Sequence, residues 1–240
     1  MKSAKGQNWV ISQIKKDLQQ CANPEKAKIL SGFFKTGKGQ YGEGDIFLGI
    51  TVPEQRKIAR KYSDLPLSGL SALLSGRIHE QRLVALLVLI GKYRKGDSGE
   101  KREIFDFYLR HAKHVNNWDL VDLSAGHILG HYLLDKDRAH LYRLTRSRNV
   151  WERRMAIIAT FAFIRNGEFD DTLRIAEMLL ADDHDLIHKA AGWMLREVGK
   201  RDQKKEEAFL RHHYRRMPRT MLRYAIERFD EEKRKAYLKK

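Results

Sequence analysis

Apolar residues recur at intervals of three and four along most of this chain, and no set of segments alternates as half-buried strands do. The helical pattern is clearest over residues 78–93, 118–134, 151–164, 173–180, 186–198 and 221–229. Two more helices are predicted to begin at Asn23-Pro24 and at Val52-Pro53, because proline fits the first helical turn. The breaks between segments are short and polar, which favours antiparallel neighbouring helices. These patterns predict an all-α fold.

A basic residue followed by small or branched apolar residues recurs at a nearly constant interval. Arg154, Lys189 and Arg223 are separated by 35 and 34 residues, and Arg82 lies 72 residues before Arg154. A helical unit of this length is typical of proteins that stack helix pairs around one continuous core. We therefore predict a HEAT-like helical-repeat solenoid with a concave basic face. The whole chain, 1–240, would form one domain, with N-terminal helices and a glycine-rich basic loop in 1–50 and stacked repeats in 51–240.

Most of the positive charge lies at the two ends of the chain. The formal net charge is +16, with eight basic and two acidic residues in 1–40 and fourteen and seven in 201–240. Such an excess favours a polyanion, usually nucleic acid, although charge alone also allows an anionic membrane or an acidic protein. The candidate phosphate contacts are basic side chains of the repeat and of the glycine-rich loop. They are Arg82, Lys189, Arg196, Arg223, Lys35 and Lys38.

Composition excludes several classes of protein. A single cysteine, Cys21, forms no internal disulfide, and the longest apolar run, residues 83–90, is far too short for a membrane span. The first residues carry no apolar core of a secretory signal. We therefore expect a cytoplasmic monomer without a membrane partner, which associates with the nucleoid when it binds DNA.

Two weaker motifs favour neither a cofactor nor a metal. The glycines at 37, 39 and 42 match a dinucleotide fingerprint, but that motif needs a preceding strand, and the segment here is helical. His127 and His131, like His184 and His188, have a zinc-ligand spacing but no obvious third ligand. A flexible basic loop and helix-surface histidines are the predictions.

One position of the basic repeat carries an acid. The helix between Arg82 and Arg154 places Asp122 in the repeat position, with steps of 40 and 32 residues. Trp118 lies four residues before Asp122, and Trp193 lies four after Lys189, so each indole shares a helix face with its repeat position. Periodicity equally allows Asp122 to be a solvated residue or a member of a structural ion pair with a nearby arginine.

The segments that hold these residues resemble one known family. Asn117-Trp118-Asp119-Leu120-Val121-Asp122, 149–156 and 189–197 resemble the AlkD family of alkylpurine DNA glycosylases, and 23–27 and 47–53 also fit it. The resemblance covers almost the whole chain. It implies a HEAT-like fold that binds double-stranded DNA and hydrolyses the N-glycosidic bond of cationic N3- and N7-alkylated purines, chiefly 3-methyladenine and 7-methylguanine, without flipping the base.

The resemblance also implies residue roles. The family's catalytic aspartate corresponds to Asp122, its sugar-contacting tryptophans to Trp118 and Trp193, and its arginine beside the lesion to Arg154. This chain has Phe33-Phe34-Lys35 where many members have Tyr-Met-Lys, which puts a role for a hydroxyl there in doubt.

The residue types suit that chemistry. A cationic purine leaves readily, so a fixed carboxylate need only stabilise the oxocarbenium-like sugar and direct water to C1′. Indole faces favour a cation, and Arg154 would hold a flanking phosphate and keep Asp122 ionised. The alternatives are a non-catalytic HEAT-repeat DNA-binding or scaffold protein and an RNA-binding helical repeat.

Overall fold

The structure, a computed structural model, describes residues 4–239, without the side chains of residues 4, 5 and 7. Helices follow one another along this range except over residues 34–51, and its β-structure consists of one isolated parallel bridge between Ile46 and Ile78. The predicted all-α helical-repeat class is confirmed. The chain divides into two compact units, residues 1–120 and 121–240, so the single-domain organisation and the concave basic face stay predictions.

The first unit is built around one long buried helix. Its helices are α1 (Ala4–Gln20), α2 (Pro24–Phe33), α3 (Val52–Lys61), α4 (Leu67–Leu74), α5 (His79–Lys95), α6 (Ser98–Arg110) and a 3₁₀ turn at Ala112–His114. Helix α5 packs against α3 and α4, and Leu86 and Leu89 are fully buried there. Helix α7 (Trp118–Ala125) begins at the end of this unit and continues into the second.

The second unit is organised around α12. After α7 come a π-helical turn at Gly126–Gly130, α8 (Ala139–Thr145), α9 (Val150–Ala159), α10 (Phe161–Arg165), α11 (Asp170–Met178), a 3₁₀ turn at Leu179–Ala181, α12 (Asp185–Gly199), α13 (Gln203–His213), α14 (Arg219–Ala225), a 3₁₀ turn at Ile226–Arg228 and α15 (Glu231–Leu238). Helix α12 packs on α9, α13 and α14. A Cβ at Gly192 would lie 2.4 Å from the Met221 carbonyl oxygen, so glycine allows α12 and α14 to approach closely.

The predicted helix starts are confirmed by their caps. The Asn23 side chain accepts a hydrogen bond from the Lys26 amide at 2.9 Å, with Pro24 in the first turn. At α3, Glu54 accepts from the amide of Thr51 at 3.1 Å, in a capping box. Both helices therefore begin where the sequence indicates.

Two of the predicted helical segments are interrupted in their middle, and two more, 173–180 and 221–229, end in 3₁₀ turns. The pattern over 118–134 contains the end of α7 at Ala125 and the π-helical turn that follows it. The pattern over 151–164 is broken at Thr160, whose hydroxyl donates to the Ile157 carbonyl oxygen at 2.7 Å. A side chain that bonds the preceding turn competes with the helix, and apolar periodicity does not record that competition.

The glycine-rich segment between α2 and α3 is anchored by a buried carboxylate. Glu80 accepts hydrogen bonds from the backbone amides of Leu48, Gly49 and Ile50 at 2.9–3.3 Å. Gly49 has φ 81°, and a Cβ there would lie 2.2 Å from the Asn23 carbonyl oxygen. Because α2, and not a strand, precedes the segment, it lacks the context of a dinucleotide-binding loop.

Within residues 4–239, no helix combines the length and the apolar character that crossing a membrane requires.

Candidate active site

Asp122 is held by a guanidinium in a two-pronged ion pair. Arg154 donates from Nε to Asp122 Oδ1 at 2.8 Å and from Nη2 to Oδ2 at 2.7 Å. Its remaining terminal nitrogen, Nη1, donates to the Leu186 carbonyl oxygen at 2.5 Å. Arg154 is 5% exposed, whereas the Asp122 side chain is 19% exposed. The carboxylate thus keeps a solvent-facing edge while its partner is enclosed.

This geometry corrects one predicted role of Arg154. A flanking phosphate would need an accessible donor, but Arg154 is 5% exposed, and Nε, Nη1 and Nη2 each donate a hydrogen bond within the protein. The predicted direct phosphate contact of Arg154 therefore does not fit the structure. The other predicted role does, because a parallel guanidinium fork stabilises the negative charge of Asp122 and fixes its direction. The structure also contains the ion pair that the sequence left open as an alternative.

The open edge of Asp122 faces a cavity of about 270 Å³ in the second unit. Trp193 lines the same cavity, so the structure brings together these two predicted site residues. The Trp193 indole lies 6.1 Å from the Phe161 ring, centroid to centroid, and its Nε1 donates to Glu197 at 3.2 Å. The remaining lining residues include His127, His131, Leu134, Ile158, Arg165 and Asn166.

Trp118 belongs to the first unit, where aromatic rings fix its position. Its indole stacks on Phe34, with centroids 5.1 Å apart and planes at 18°, and meets the edge of Phe33 at 5.9 Å. Phe33 and Phe34 are the residues at which this chain departs from the Tyr-Met-Lys pattern. In this chain the departure supplies a purely aromatic support for the indole.

A buried cluster of charged residues connects α7 to the loop between α2 and α3. One member of the cluster, Asp119, directly follows Trp118 in the sequence. His79 is 2% exposed and bonds Asp45 through Nδ1 at 3.2 Å and Asp119 through Nε2 at 2.7 Å. Burial opposes protonation of His79, but the hydrogen bonds to Asp119 and Asp45 outweigh it and raise its pKa. Burial likewise disfavours ionised Asp45, yet His79 and Arg82 lower its pKa. A protonated imidazole between two carboxylates is the arrangement that these shifts describe.

The predicted phosphate contacts divide into buried and exposed residues. Arg82 is 3% exposed and pairs with Asp45 at 2.6 Å, which corrects its predicted DNA contact, because it has almost no surface to offer a phosphate. Arg196, with 16% of its side chain exposed, pairs with Glu227. Lys189 is 40% exposed and pairs with Asp185 at 2.7 Å. The remaining three, Arg223, Lys35 and Lys38, are exposed.

Two features of the site were not predicted from the sequence. The partners in the His79 cluster lie 34 and 40 residues apart, and no periodic signal joins them. The sequence shows His127 and His131 only as a spaced pair, whereas the structure places both on the wall of the Asp122 cavity. Among the described residues, no group of three or more histidine, cysteine or acidic side chains is arranged to hold a metal ion.

The fold and this site define a helical-repeat protein in which an ion-paired carboxylate opens onto an aromatic cavity. A family model described as DNA alkylation repair enzyme matches residues 14–229, and the chain therefore belongs to that family. It is similar to a structure described as a predicted DNA alkylation repair enzyme from Enterococcus faecalis, with a TM-score of 0.67 and 19% identity over 88% of this chain and 97% of that chain. At this identity the likeness shows the fold alone. The comparison with curated proteins gives no match.

Proposed function

We propose that this protein is a DNA glycosylase that removes cationic N3- and N7-alkylated purines, 3-methyladenine and 7-methylguanine above all, from double-stranded DNA. The observation that carries the proposal is the Asp122 carboxylate, fixed by Arg154 at 2.7–2.8 Å and open on one edge to a cavity shared with Trp193. Membership of the DNA alkylation repair enzyme family supports damaged DNA as the substrate.

The reaction suits a fixed carboxylate. An alkylated purine is already a cation and leaves without a strong acid on the base, so positive charge develops on the sugar as the bond to C1′ breaks. Asp122 would stabilise that charge and orient or deprotonate the attacking water. Because the guanidinium fork holds both carboxylate oxygens, little reorganisation is needed when the charge appears.

The indoles would stabilise the same charge. Trp193 shares the cavity with Asp122, and Trp118 lies one turn before Asp122 in α7. An indole face favours a nearby cation by about 0.5–2 kcal/mol. Both residues are half-buried, which fits a ring that is held by the protein on one side and offered to a ligand on the other.

We expect the base to stay in the duplex. Enzymes that act on the base itself must take it out of the stack, whereas here the acting groups need only reach the sugar. The expectations of a monomer without a resident metal or cofactor, and of a cytoplasmic, nucleoid-associated location, belong to the same proposal.

The test is release of free base from duplex DNA that carries a single 7-methylguanine. The wild type should release 7-methylguanine, and Asp122→Asn should lower the single-turnover rate by about 100-fold or more, since one fixed charge-stabilising group commonly contributes that much. The affinity of the variant for DNA should change little. Asp106→Asn, with 47% of its side chain exposed, is the matched control and should keep the wild-type rate.

Two outcomes would contradict the proposal. Tight binding of duplex DNA with no release by the wild type would identify a non-catalytic DNA-binding protein. Displacement from DNA by equimolar duplex RNA, again without release, would favour an RNA-binding repeat.

A further inference from the structure

We infer that His127, His131 and Arg165 form the site that holds a DNA phosphodiester beside Asp122, and we call these three residues the cavity cations. The inference rests on the proposed function, because it concerns the strand whose sugar faces Asp122. It assigns to other residues the phosphate contact that the sequence predicted for Arg154.

A phosphate site is required close to Asp122. A sugar that faces this carboxylate brings a phosphodiester on either side of it, and both anions would be repelled by Asp122 unless cations lie nearby. Arg154 is enclosed and its guanidinium is engaged by Asp122 and Leu186. The charged residues that line the cavity are Asp122 and Arg165, and its titratable rings are His127 and His131. All three cavity cations are exposed, so a ligand can reach them.

The π-helical turn aims the two histidines. It spans Gly126–Gly130 directly after α7, and π turns are found frequently at functional sites. A Cβ at Gly130 would lie 2.0 Å from the Ala159 carbonyl oxygen, so only glycine lets this turn pack against the end of α9. His127 lies within this turn and His131 follows it directly, so both belong to a backbone segment that packs closely on the end of α9.

Arg165 is the third member of the cavity cations and comes from a different helix. It ends α10, and its guanidinium lies 5.8 Å from the centroid of the Phe161 ring. Phe161 in turn lies beside Trp193, so the aromatic pair links the guanidinium to the indole that we assign to the sugar. Because a guanidinium is planar and carries a fork of donors, it suits bidentate bonding to a phosphate.

A methylphosphonate scan tests the contact directly. The probe is a duplex with a tetrahydrofuran abasic analogue, which has no base to release, and each flanking phosphate is replaced in turn by an uncharged methylphosphonate. The wild type should lose about tenfold in affinity at one phosphate. The triple variant His127→Gln, His131→Gln, Arg165→Gln should lose nothing further at that position. Its salt slope should fall by about one phosphate contact.

Matched control variants complete the test. His212→Gln and Arg102→Gln change exposed residues that do not line the cavity, and they should keep the wild-type response at that phosphate.

The inference is overturned if the triple variant shows the same methylphosphonate losses as the wild type, or if its salt slope equals that of the wild type. Its failure is separable from failure of the proposed function. Absence of base release by the wild type contradicts the glycosylase proposal, whereas the binding measurements use DNA that cannot be cleaved at the site.

Discussion

Arg154 bonds both carboxylate oxygens of Asp122 at 2.7–2.8 Å and spends its remaining terminal nitrogen on the Leu186 carbonyl oxygen. The arginine therefore supports the carboxylate and does not reach outward. The geometry thus supports one predicted role of this residue, orienting Asp122, and not the other, contacting phosphate. Variants of Arg154 can test the two roles separately.

Arg154→Ala should lower the rate of 7-methylguanine release by at least tenfold while leaving the salt dependence of DNA affinity unchanged. The rate falls because Asp122 loses the two parallel hydrogen bonds that fix its direction. The salt dependence of DNA affinity stays the same because no phosphate contact is removed. Arg154→Lys should give an intermediate rate, since one ammonium replaces the two parallel bonds. A slope that drops by a full phosphate contact would show that Arg154 turns outward when DNA binds.

Trp193→Ala should lower the single-turnover rate more than it lowers DNA affinity, because the indole face is proposed to act on charge that develops only in the transition state. Loss of a cation–π contact of about 1–2 kcal/mol corresponds to roughly a tenfold change in rate. Trp193→Phe should retain much of the activity. Trp9→Ala is the control, since that indole is 65% exposed on α1 and does not line the cavity. Equal losses in the two alanine variants would remove the assigned role.

Glu206 should make the second unit less stable as pH rises. Burial raises the pKa of this carboxyl from 4.5 to about 8, because Glu206 is 2% exposed and Glu207 adds a like charge. Between those two values the folded chain keeps the proton and the unfolded chain releases it. The free energy of unfolding then falls by about 1.4 kcal/mol per pH unit in that window.

Glu206→Gln should abolish that fall, which urea unfolding at pH 5 and pH 8 would measure. The variant should be about as stable as the wild type at pH 5 and more stable at pH 8. Glu231→Gln is the control, because its side chain is 77% exposed and Glu231 does not contribute to the shift of the Glu206 pKa. An unchanged pH dependence in Glu206→Gln would refute the assignment.

His79→Gln should destabilise the first unit, and more strongly at low pH than at high pH. The raised pKa of His79 means that its contribution is fully present below pH 6.5, its ordinary value, and is lost as pH rises through the folded value. Breaking a buried charged pair typically costs about 3–5 kcal/mol. Unfolding at pH 6 and pH 9 measures the difference, with His212→Gln, an exposed histidine, as the control. An equal loss at both pH values would mean that the imidazole is neutral in the folded protein.

Much of the fold was predictable because the signals for a helix, its cap residues and its apolar spacing, lie within a short stretch of sequence. Asn23 and Pro24 mark the start of α2, and the apolar spacing of 186–198 lies within α12, which runs from Asp185 to Gly199. The sequence places Asp122 in a repeat position and Trp193 on the helix face of the Lys189 repeat position, and the structure places both on one cavity.

The features that could not be predicted from the sequence depend on contacts between residues that lie far apart in the chain. Arg82 occupies a repeat position and looked like a phosphate contact, but Asp45, in an irregular loop 37 residues earlier, pairs with it in the interior. The sequence did not predict the π-helical turn for a related reason. Glycines at 126 and 130 keep the helical spacing, and only the structure shows that Gly130 lies against the Ala159 carbonyl oxygen, where a Cβ would not fit.

Glu80 gives the loop over 48–50 a property that ordinary anion-binding nests lack. Three backbone amides converge on it as they would on a phosphate, but this anion is covalently part of the chain. The nest is therefore already filled before any DNA arrives. A free nucleotide or inorganic phosphate would have to displace a tethered carboxylate from a buried position, so this loop should keep its shape at any cellular phosphate concentration. Its glycines serve the protein's own architecture, and the phosphate contacts that we propose are the cavity cations and the exposed basic side chains.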